Sequence, residues 1–241
     1  MMKDGKEMQS LIGKERYSFS DLLEVMRLLR AEGGCPWDRE QTHKSIRSCL
    51  IEETYEVVEA IDTENALLLR EELGDLLFQV VFHAQIKSEE GVFDIEDVTN
   101  DICVKMIHRH PHVFGEESAE TSGEVLRNWE KIKTEEKQRI RLADKLRAIP
   151  PMLPALMRAS KVAKKTADVD AVVGGSSGLH DACKRWMESI AEGSEAEKVA
   201  VGDLLYLLCA DTTARGIDAE EALSAAVKRR IGRVEAEERH T

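Results

Sequence analysis

The sequence has few aromatic residues and few prolines. Aromatic side chains make up 5% of its 241 residues, and only five prolines occur. β-Sandwiches and β-barrels are built from aromatic and β-branched strands joined by turns rich in proline and glycine, so this composition argues against both. Leucine, alanine, glutamate, lysine and arginine are abundant instead, as is typical of helical proteins. We therefore predict an all-α fold.

The sequence also lacks the patterns of a disulfide-rich, zinc-binding or membrane-spanning protein. Its five cysteines are far apart and include no C-x-x-C pair. An odd number of scattered cysteines predicts neither a disulfide framework nor a thiolate zinc site. No run of about 18 apolar residues occurs, and the first residues lack the apolar segment of a signal peptide. We expect free thiols and a cytoplasmic protein with no membrane partner.

Positive charge is scarce as well. The chain has 46 acidic and 34 basic residues, which gives a formal net charge of -12. Nucleic acid and anionic membranes repel a protein of this charge, so we expect no stable nucleic-acid binding. A polyphosphate could still bind if metal ions supplied the missing positive charge.

Apolar residues recur at helical spacing through the first half of the chain. A capping box at Ser18–Asp21 starts the first predicted helix, which ends before Gly33. The same spacing predicts a second helix over residues 48–61 and a third over residues 66–88. Asp94 is a suitable N-cap for a fourth helix. These helices form the first part of a predicted helical bundle.

A cluster of prolines divides the rest of the chain. A polar helix is expected from about residue 124 to residue 146, and the segment Pro150–Pro154 follows with three of the five prolines. Proline has no backbone N–H to donate and does not continue a helix, so this segment is the best domain boundary. We predict one helical domain at residues 1–149 and a smaller one at residues 150–241.

The second predicted domain repeats two short stretches of the first. Leu73–Phe78 recurs as Val201–Tyr206, 128 residues later, and Phe93–Val98 recurs as Ile217–Ala222, 124 residues later. Two related blocks in the same order indicate an internal duplication. The chain is therefore predicted to contain two tandem, related helical units.

Five acidic residues lie on the second and third predicted helices. Glu52, Glu53 and Glu56 form an E-E-x-x-E pattern, and Glu72 and Asp75 form an E-x-x-D pattern. Residues three apart share a helix face, so Glu53 with Glu56, and Glu72 with Asp75, each present two carboxylates together. The two pairs are also symmetric about the connecting turn. In an antiparallel hairpin, Glu53 would face Asp75 and Glu56 would face Glu72.

Four carboxylates held between two helices would repel one another and lose solvation, so a cation is expected among them. Oxygen ligands without nearby cysteine or histidine favour Mg²⁺, or Mn²⁺ in its place, over zinc. The alternative is that these acids form a solvated helix face, which is the usual fate of acidic residues in a highly charged chain. The matched spacing of the whole set favours the metal.

Several segments together resemble the MazG nucleoside triphosphate pyrophosphohydrolases. The resemblance is dense from about residue 18 to residue 137 and partial beyond it. It implies an all-α NTP pyrophosphatase bundle that hydrolyses an NTP or dNTP to the monophosphate and pyrophosphate. It also implies Mg²⁺ and a homodimer that completes the site; whether dimers pair into a tetramer stays open. Besides the two acidic patterns, the segments that carry the resemblance are Gly34–His43, Phe78–Ala84, His110–Gly115 and Asn128–Lys133.

Carried over by position, the resemblance implies roles for individual residues. Glu53, Glu56, Glu72 and Asp75 would bind Mg²⁺, and Glu52 would orient or deprotonate the attacking water or bind a further metal. Residues expected to contact the phosphates are Arg109 and Lys133, with Lys105 and Lys131 behind them, and those expected to stack on the base are Trp37 and Trp129. Ordinary surface charge is the alternative for the basic residues, and packing is the alternative for the tryptophans.

Two histidine patterns suggest other metal sites, and we favour neither. His108, His110 and His112 alternate around Pro111, which is better explained as a structural helix end. Glu40 and His43 form a single E-x-x-H pattern, whereas a di-iron bundle requires two such pairs on facing helices.

The second copy has lost most of the acidic pattern. The positions that match Glu72 and Asp75 are Ala200 and Asp203, and residues 181–192 contain no E-E-x-x-E. Family members with two domains carry a complete motif set in the C-terminal unit, so this chain departs from that pattern. We expect residues from about 155 to 241 to serve packing, dimerisation or regulation.

The leading hypothesis is therefore an enzyme that removes surplus or non-standard nucleoside triphosphates. The main alternative is a catalytically silent module of the same fold that binds nucleotide for sensing, regulation or protein interaction. A purely structural helical dimer is a third possibility. The sequence does not distinguish the preferred base or sugar, the phosphorus that is attacked, or the number of metals.

Overall fold

The all-α prediction is confirmed. The computed structural model describes residues 8–136, 141–167, 169, 175–190 and 194–239, and this part of the chain contains helices and connecting loops but no β-strand. None of its helices combines the length and the apolar character needed to cross a membrane. The chain divides into two compact units, Met1–Val125 and Leu126–Thr241.

The helices are numbered in chain order. The first unit contains α1 (Phe19–Arg30), α2 (Pro36–Glu40), α3 (Arg47–Asp62), α4 (Ala66–Glu89), α5 (Ile95–Arg109) and α6 (Pro111–Phe114). Helix α7 (Ser122–Glu136) includes the position at which the two units divide. The second unit contains α8 (Leu142–Arg147), α9 (Ala155–Thr166), α10 (Gly175–Ser189), α11 (Glu195–Ala214) and α12 (Ala219–Glu238).

The predicted helix starts agree with the caps. The Ser18 side chain accepts from the Asp21 backbone N–H at 3.3 Å, and the Asp21 carboxylate accepts from the Ser18 N–H at 2.9 Å. Asp94 caps α5 in the same reciprocal way with Asp97. Each box satisfies backbone donors that a helix start leaves unpaired, which fixes where these helices begin.

Two features of the predicted helices differ from the structure. Trp37 falls between the first and second predicted helices, but it lies in α2, a short helix with Cys35 at its N-cap and Pro36 in its first turn. Proline is well suited to that position because its missing N–H would be unpaired there anyway. The polar helix expected at about residues 124–146 corresponds to α7 and α8, and the chain between them, 137–140, lies outside the described residues.

The predicted domain boundary lies elsewhere than the division found in the fold. The structure divides at Val125 and Leu126, so the proline-rich segment falls inside the second unit. The division at residues 149 and 150 was inferred from prolines and from the repeated segments, and it stays a prediction about the two copies.

A buried core holds α1 against α4 in the first unit. Its members are Met26, Ile46, Val81, Phe82 and Ile86, all at most 6% exposed. Burying apolar side chains in this way is the main source of helix stability in small domains. The core therefore fixes α4, and with it every residue that α4 carries.

Arg30, at the end of α1, strengthens this packing with polar contacts. Its guanidinium donates to both carboxylate oxygens of Glu89 on α4, at 2.8 and 2.7 Å, and lies 5.3 Å from the centre of the Phe82 ring. It also donates to the carbonyl oxygens of Asp38 and Gln41. The hydrogen bonds from Arg30 hold the pKa of Glu89 below its usual value. One buried cation thus joins α1, α2 with its C-cap residue, and α4.

The turn between α3 and α4 forces one residue into an unusual conformation. Glu64 has φ 52°, the left-handed region that side chains other than glycine adopt at a cost. The Asn65 N–H donates to the Ala60 carbonyl at 3.0 Å, and the Asn65 side chain caps α4 by accepting from the Leu68 N–H at 3.2 Å. The turn therefore fixes the register of the α3–α4 hairpin.

The second unit repeats the packing order of the first. Helix α10 packs against α11 as α3 packs against α4, and α9 packs against α11 as α1 packs against α4. Side-chain exposure repeats too: Val81 and Cys209, which are 128 positions apart, are 2% and 1% exposed. Val80 and Leu208, the pair before them, are 39% and 43% exposed. These matches agree with the duplication inferred from sequence.

Replacing Glu64 with glycine should stabilise the first unit. Glycine adopts positive φ without strain, and this gain exceeds the extra entropy that it loses on folding, so we expect about 0.5–1 kcal/mol of added stability. The measurement is chemical denaturation monitored by circular dichroism. Thr63→Gly is the matched control: Thr63 has φ -90° and bonds the Glu59 carbonyl, so glycine there should destabilise. A loss of stability in Glu64→Gly would contradict the strain argument.

Candidate functional site

Three carboxylates converge between α3 and α4. One oxygen from each of Glu53, Glu56 and Glu72 can be chosen so that all three lie within 4.8 Å of one another. All three side chains are half-buried. The structure thus brings together three of the four residues that the resemblance assigned to Mg²⁺. We refer to these three residues as the carboxylate cluster.

The local sequence accounts for this geometry. Glu53 and Glu56 are three residues apart and therefore share a face of α3, while Glu72 lies one turn and a half into α4. The short turn at residues 63–65 makes the helices antiparallel neighbours, and the core holds α4 in place. The acids converge because the hairpin register places these faces opposite each other.

The carboxylates of the cluster destabilise one another's charged forms. Burial raises the pKa of Glu53, with further contributions from its hydrogen bond with Glu56 and from the charges of Asp75, Glu56 and Glu72. The pKa of Glu72 is raised by loss of solvation first and then by the charges of Glu56 and Asp75. In the part of the chain that the structure describes, no lysine or arginine pairs with the cluster.

This environment suits a divalent cation. A cation between the carboxylates would replace their mutual repulsion with attraction, and carboxylate oxygens are ligands that Mg²⁺ and Mn²⁺ accept. The donor set contains only oxygen, which disfavours zinc. The residues present therefore fit the metal that the sequence predicted.

Asp75 and Glu52 are the two remaining acids of the predicted site. Asp75 is exposed and does not join the three converging carboxylates, although its charge raises the pKa values of Glu53 and Glu72. Glu52 is also exposed and precedes Glu53 on α3. The roles predicted for Asp75 and Glu52 stay predictions.

The predicted phosphate and base contacts fall into two groups. In the first unit, Trp37 is 59% exposed on α2 and Lys105 is exposed on α5, whereas Arg109 at the end of α5 is buried and already engaged in an interaction. In the second unit, Lys133 lies 4.4 Å from the centre of the Trp129 ring and pairs with Glu130 at 3.2 Å. Lys131 is exposed on the same helix, α7.

The histidines around Pro111 agree with a structural role. His110 is the C-cap of α5, and its Nδ1 lies 2.6 Å from the Met106 carbonyl oxygen. His112 lies two residues further, on α6, with its ring 5.6 Å from the ring of His110. These contacts end one helix and begin the next.

Sequence reasoning missed a second histidine pair. The Nδ1 atoms of His43 and His83 are 2.8 Å apart, and the two rings are stacked with centres 5.0 Å apart. Burial lowers the pKa of His83, and the nearby His43 lowers it further. The signal was available: in an antiparallel hairpin with the register given above, the start of α3 lies opposite His83.

The second unit has no equivalent of the carboxylate cluster among its described residues. Ala200 and Asp203 occupy the positions of Glu72 and Asp75 on α11. On α10, Lys184 and Glu188 form an exposed ion pair at 3.9 Å instead of a pair of free carboxylates. A single remaining acid would not concentrate enough negative charge to hold a divalent cation.

Comparison with known proteins agrees with this geometry. A family model described as the MazG nucleotide pyrophosphohydrolase domain matches residues 41–114, which include the whole cluster. A MazG nucleoside triphosphate pyrophosphohydrolase/pyrophosphatase of Thermotoga maritima is 37% identical over 217 residues, covering 89% of this chain and 83% of that protein. A nucleoside triphosphate pyrophosphohydrolase of Escherichia coli is 54% identical over 149 residues, covering 61% of this chain and 57% of that protein.

A Streptomyces cacaoi protein without an assigned function is 36% identical over 209 residues, covering 86% of this chain and 76% of that protein. Two of these matches therefore extend over most of the chain and are not confined to the segment that carries the cluster. Given the extent of the Thermotoga match, the acidic cluster and the family-model match, the chain belongs to the MazG family of nucleoside triphosphate pyrophosphohydrolases, which are hydrolases.

Proposed function

We propose that the protein is a Mg²⁺-dependent pyrophosphohydrolase that converts an NTP or dNTP and water into the nucleoside monophosphate and pyrophosphate. The observation that carries this proposal is the convergence of Glu53, Glu56 and Glu72 without a cationic partner among the described residues. Family membership supports the reaction, since the Thermotoga and Escherichia relatives are named for it. Clearing surplus or non-standard nucleotides is the corresponding cellular role, and a cytoplasmic location is part of the proposal.

The chemistry requires positioning more than covalent catalysis. Bound Mg²⁺ would neutralise the polyphosphate and lower its repulsion toward an incoming water. Glu53, Glu56 and Glu72 would hold the metal, and Asp75 would complete its ligands. Glu52, the neighbouring exposed carboxylate, would orient the water and accept its proton. A P–O bond to the water oxygen would form as the α,β-phosphoanhydride bond breaks, so that the nucleoside monophosphate and pyrophosphate are released.

Basic and aromatic side chains would hold the remaining parts of the nucleotide. We propose that Lys105 and Arg109, with Lys131 and Lys133, contact phosphates that the metal does not cover. Among the residues that the structure describes, Trp37 is the best candidate to stack on the base. Most of it is exposed, and it lies on α2, which the Arg30 contacts hold in place. Trp129 is the second candidate, in the unit that carries Lys133.

We further propose a homodimer formed through the outer face of the α3–α4 hairpin. Apolar residues recur there at helical spacing, yet they are about half exposed: Ile51, Tyr55 and Val58 on α3, and Leu73, Leu77 and Val80 on α4. A contiguous apolar surface of this kind marks an interaction site. A second copy of the chain is the best partner for this surface, because a two-fold axis would place the same apolar residues of both copies against each other.

A silent nucleotide-binding module is the second candidate function. The degenerate second unit favours it, since one half of the chain has already lost its acids while keeping its packing pattern. Binding without turnover would need only the cluster and the nucleotide contacts.

We expect pyrophosphate release from at least one of the eight common NTPs and dNTPs in the presence of Mg²⁺, measured with a coupled pyrophosphate assay. Glu53→Gln/Glu72→Gln should lower the rate by at least about a hundredfold because it removes two of three converging metal ligands. Glu32→Gln/Glu59→Gln removes the same charge from exposed positions outside the cluster and should retain wild-type activity.

Each other outcome has a defined meaning. Nucleotide binding by the wild type without pyrophosphate release would favour the silent module. Substantial Mg²⁺-dependent hydrolysis by the cluster variant would assign catalysis to another site, including the second unit.

Without metal, Glu53→Gln/Glu72→Gln should be more stable than the wild type at pH 7.5. The folded-state pKa values of Glu53 and Glu72 are raised, so their protonated forms favour folding below the ordinary glutamate pKa. That contribution is lost as the pH rises through the raised values. The difference in thermal midpoint should therefore shrink toward pH 5. Mg²⁺ should raise the midpoint of the wild type at pH 7.5 and leave the variant unchanged. Equal midpoints at both pH values would contradict the proposed repulsion.

Leu77→Lys/Val80→Lys should convert the dimer into monomers, as measured by analytical ultracentrifugation. Placing charge at the centre of an apolar interface costs several kcal/mol of association free energy. Leu67→Lys is the control, since Leu67 is also exposed on α4 but points about 80° away from Leu77 around the helix. A wild-type protein that sediments as a monomer at micromolar concentration would refute the interface.

A further inference from the structure

Three side-chain polar atoms are buried in the first unit without a hydrogen-bond partner among the described residues. One, Nδ1 of His112, lies on α6, and the other two lie on α4 and just before α3. These two atoms are Oε1 of Gln79, a residue that is only 8% exposed, and Nε2 of His43. Neither has a partner among the residues that the structure describes. Leaving a buried acceptor or donor unpaired costs stability, so such atoms require an explanation.

Gln79 lies on the same face of α4 as the metal-binding acid. At 100° per residue, Glu72, Gln79 and His83 fall within about 40° of one another around the helix. Gln79 is about 10 Å and His83 about 16 Å along the axis from Glu72 at 1.5 Å per residue. These three residues form one polar stripe that begins at the carboxylate cluster and runs toward the end of α4.

The histidine contact brings His43 to the same stripe. His43 precedes α3, and its ring stacks on that of His83, one turn beyond Gln79. Both unpaired atoms therefore belong to the end of the hairpin that lies beyond the cluster. The distance from the cluster to this end falls within the reach of an extended nucleoside triphosphate.

The second copy shows that packing does not require the polar stripe. The position that matches Gln79 is Leu207, and both residues are 8% exposed. The position that matches Glu72 is Ala200, whereas the apolar residues between them stay apolar, as Leu76 and Leu204 illustrate. The amide at position 79 is thus absent from the copy that lacks the acid at position 72.

We propose that Gln79 and His43 form a nucleobase-recognition subsite for the nucleotide whose phosphates are held at the carboxylate cluster. This inference rests on the proposed function and identifies residues that determine its specificity. The base edge would supply the partners that the two buried atoms lack.

The chemistry of the two side chains suits a base edge. A glutamine amide donates and accepts side by side, which matches the neighbouring donor and acceptor of a nucleobase. The His43–His83 hydrogen bond needs one proton between the two Nδ1 atoms. If His83 donates, His43 carries its proton on Nε2 and is a donor there; if His43 donates, its Nε2 is an acceptor. The histidine pair can therefore offer a base either a hydrogen-bond donor or an acceptor at Nε2 of His43.

The test compares Gln79→Leu with the wild type on the eight NTPs and dNTPs, using kcat/KM for each. Leucine occupies the matching and equally buried position 207 of the second unit, so we expect the variant to fold with a thermal midpoint at or above that of the wild type. We expect the ratio between the best base and the other bases to fall by about tenfold or more, mainly through a higher KM for the best base. His43→Phe, which keeps a ring beside His83, should act in the same direction.

Gln85→Leu is the matched control. Gln85 lies on the opposite side of α4 and bonds Glu89, so this variant should keep the base preference of the wild type. A Gln79→Leu variant that keeps the wild-type ratios would overturn the inference, whatever its absolute rate. A uniform loss across all bases together with a lower thermal midpoint would also overturn it, because it indicates a structural role.

A binding experiment separates this inference from the proposed reaction. If the wild type releases no pyrophosphate from any nucleotide, the pyrophosphohydrolase proposal fails. The preference between bases is then measured as the ratio of dissociation constants. These are determined by calorimetry for α,β-methylene analogues of the four NTPs in the presence of Mg²⁺. Loss of base discrimination in Gln79→Leu but not in Gln85→Leu would still support the subsite, and equal discrimination in both would refute it.

Discussion

The mutual repulsion of Glu53, Glu56 and Glu72 is the constraint on which the rest of the site depends. Their oxygens converge between two helices, burial raises the pKa values of two of them, and no described cation neutralises them. A fold keeps such an arrangement only if other interactions hold the helices firmly in place. The same unfavourable repulsion is what would favour binding of the divalent cation that we propose for this cluster.

Those other interactions lie away from the acids. The Met26 and Phe82 core fixes α4 against α1, and Arg30 links both helices to α2. At the opposite end of the hairpin, the Asn65 cap and the strained Glu64 set the register. None of these contacts uses a carboxylate of the cluster. The scaffold therefore does not depend on the protonation state of the acids, or on the metal and substrate that we propose for them.

The parts of this structure that could be predicted from sequence are those determined locally. Ser18 and Asp94 mark helix starts because a cap depends on residues three positions apart, and the symmetric spacing of the acids predicts the cluster once a hairpin is assumed. The His43–His83 contact and the buried position of Arg109 depend on how separate helices pack, which periodicity does not specify. Periodicity likewise predicts the helix that carries Tyr55 but does not show whether its apolar face is buried, and the structure leaves that face about half exposed.

The duplication provides an internal comparison that separates folding from function. Positions that build the core are buried in both copies, as Val81 and Cys209 show, although the residues themselves differ. The polar residues Glu72 and Gln79 are replaced by Ala200 and Leu207 in the second copy without loss of the packing order. Packing does not need the polarity of these side chains, and burying a polar group without a partner costs stability. We therefore attribute their polarity to a ligand that they bind. This reasoning applies to the acid and to the amide alike, and it links the metal end of α4 to the end that we assign to the base.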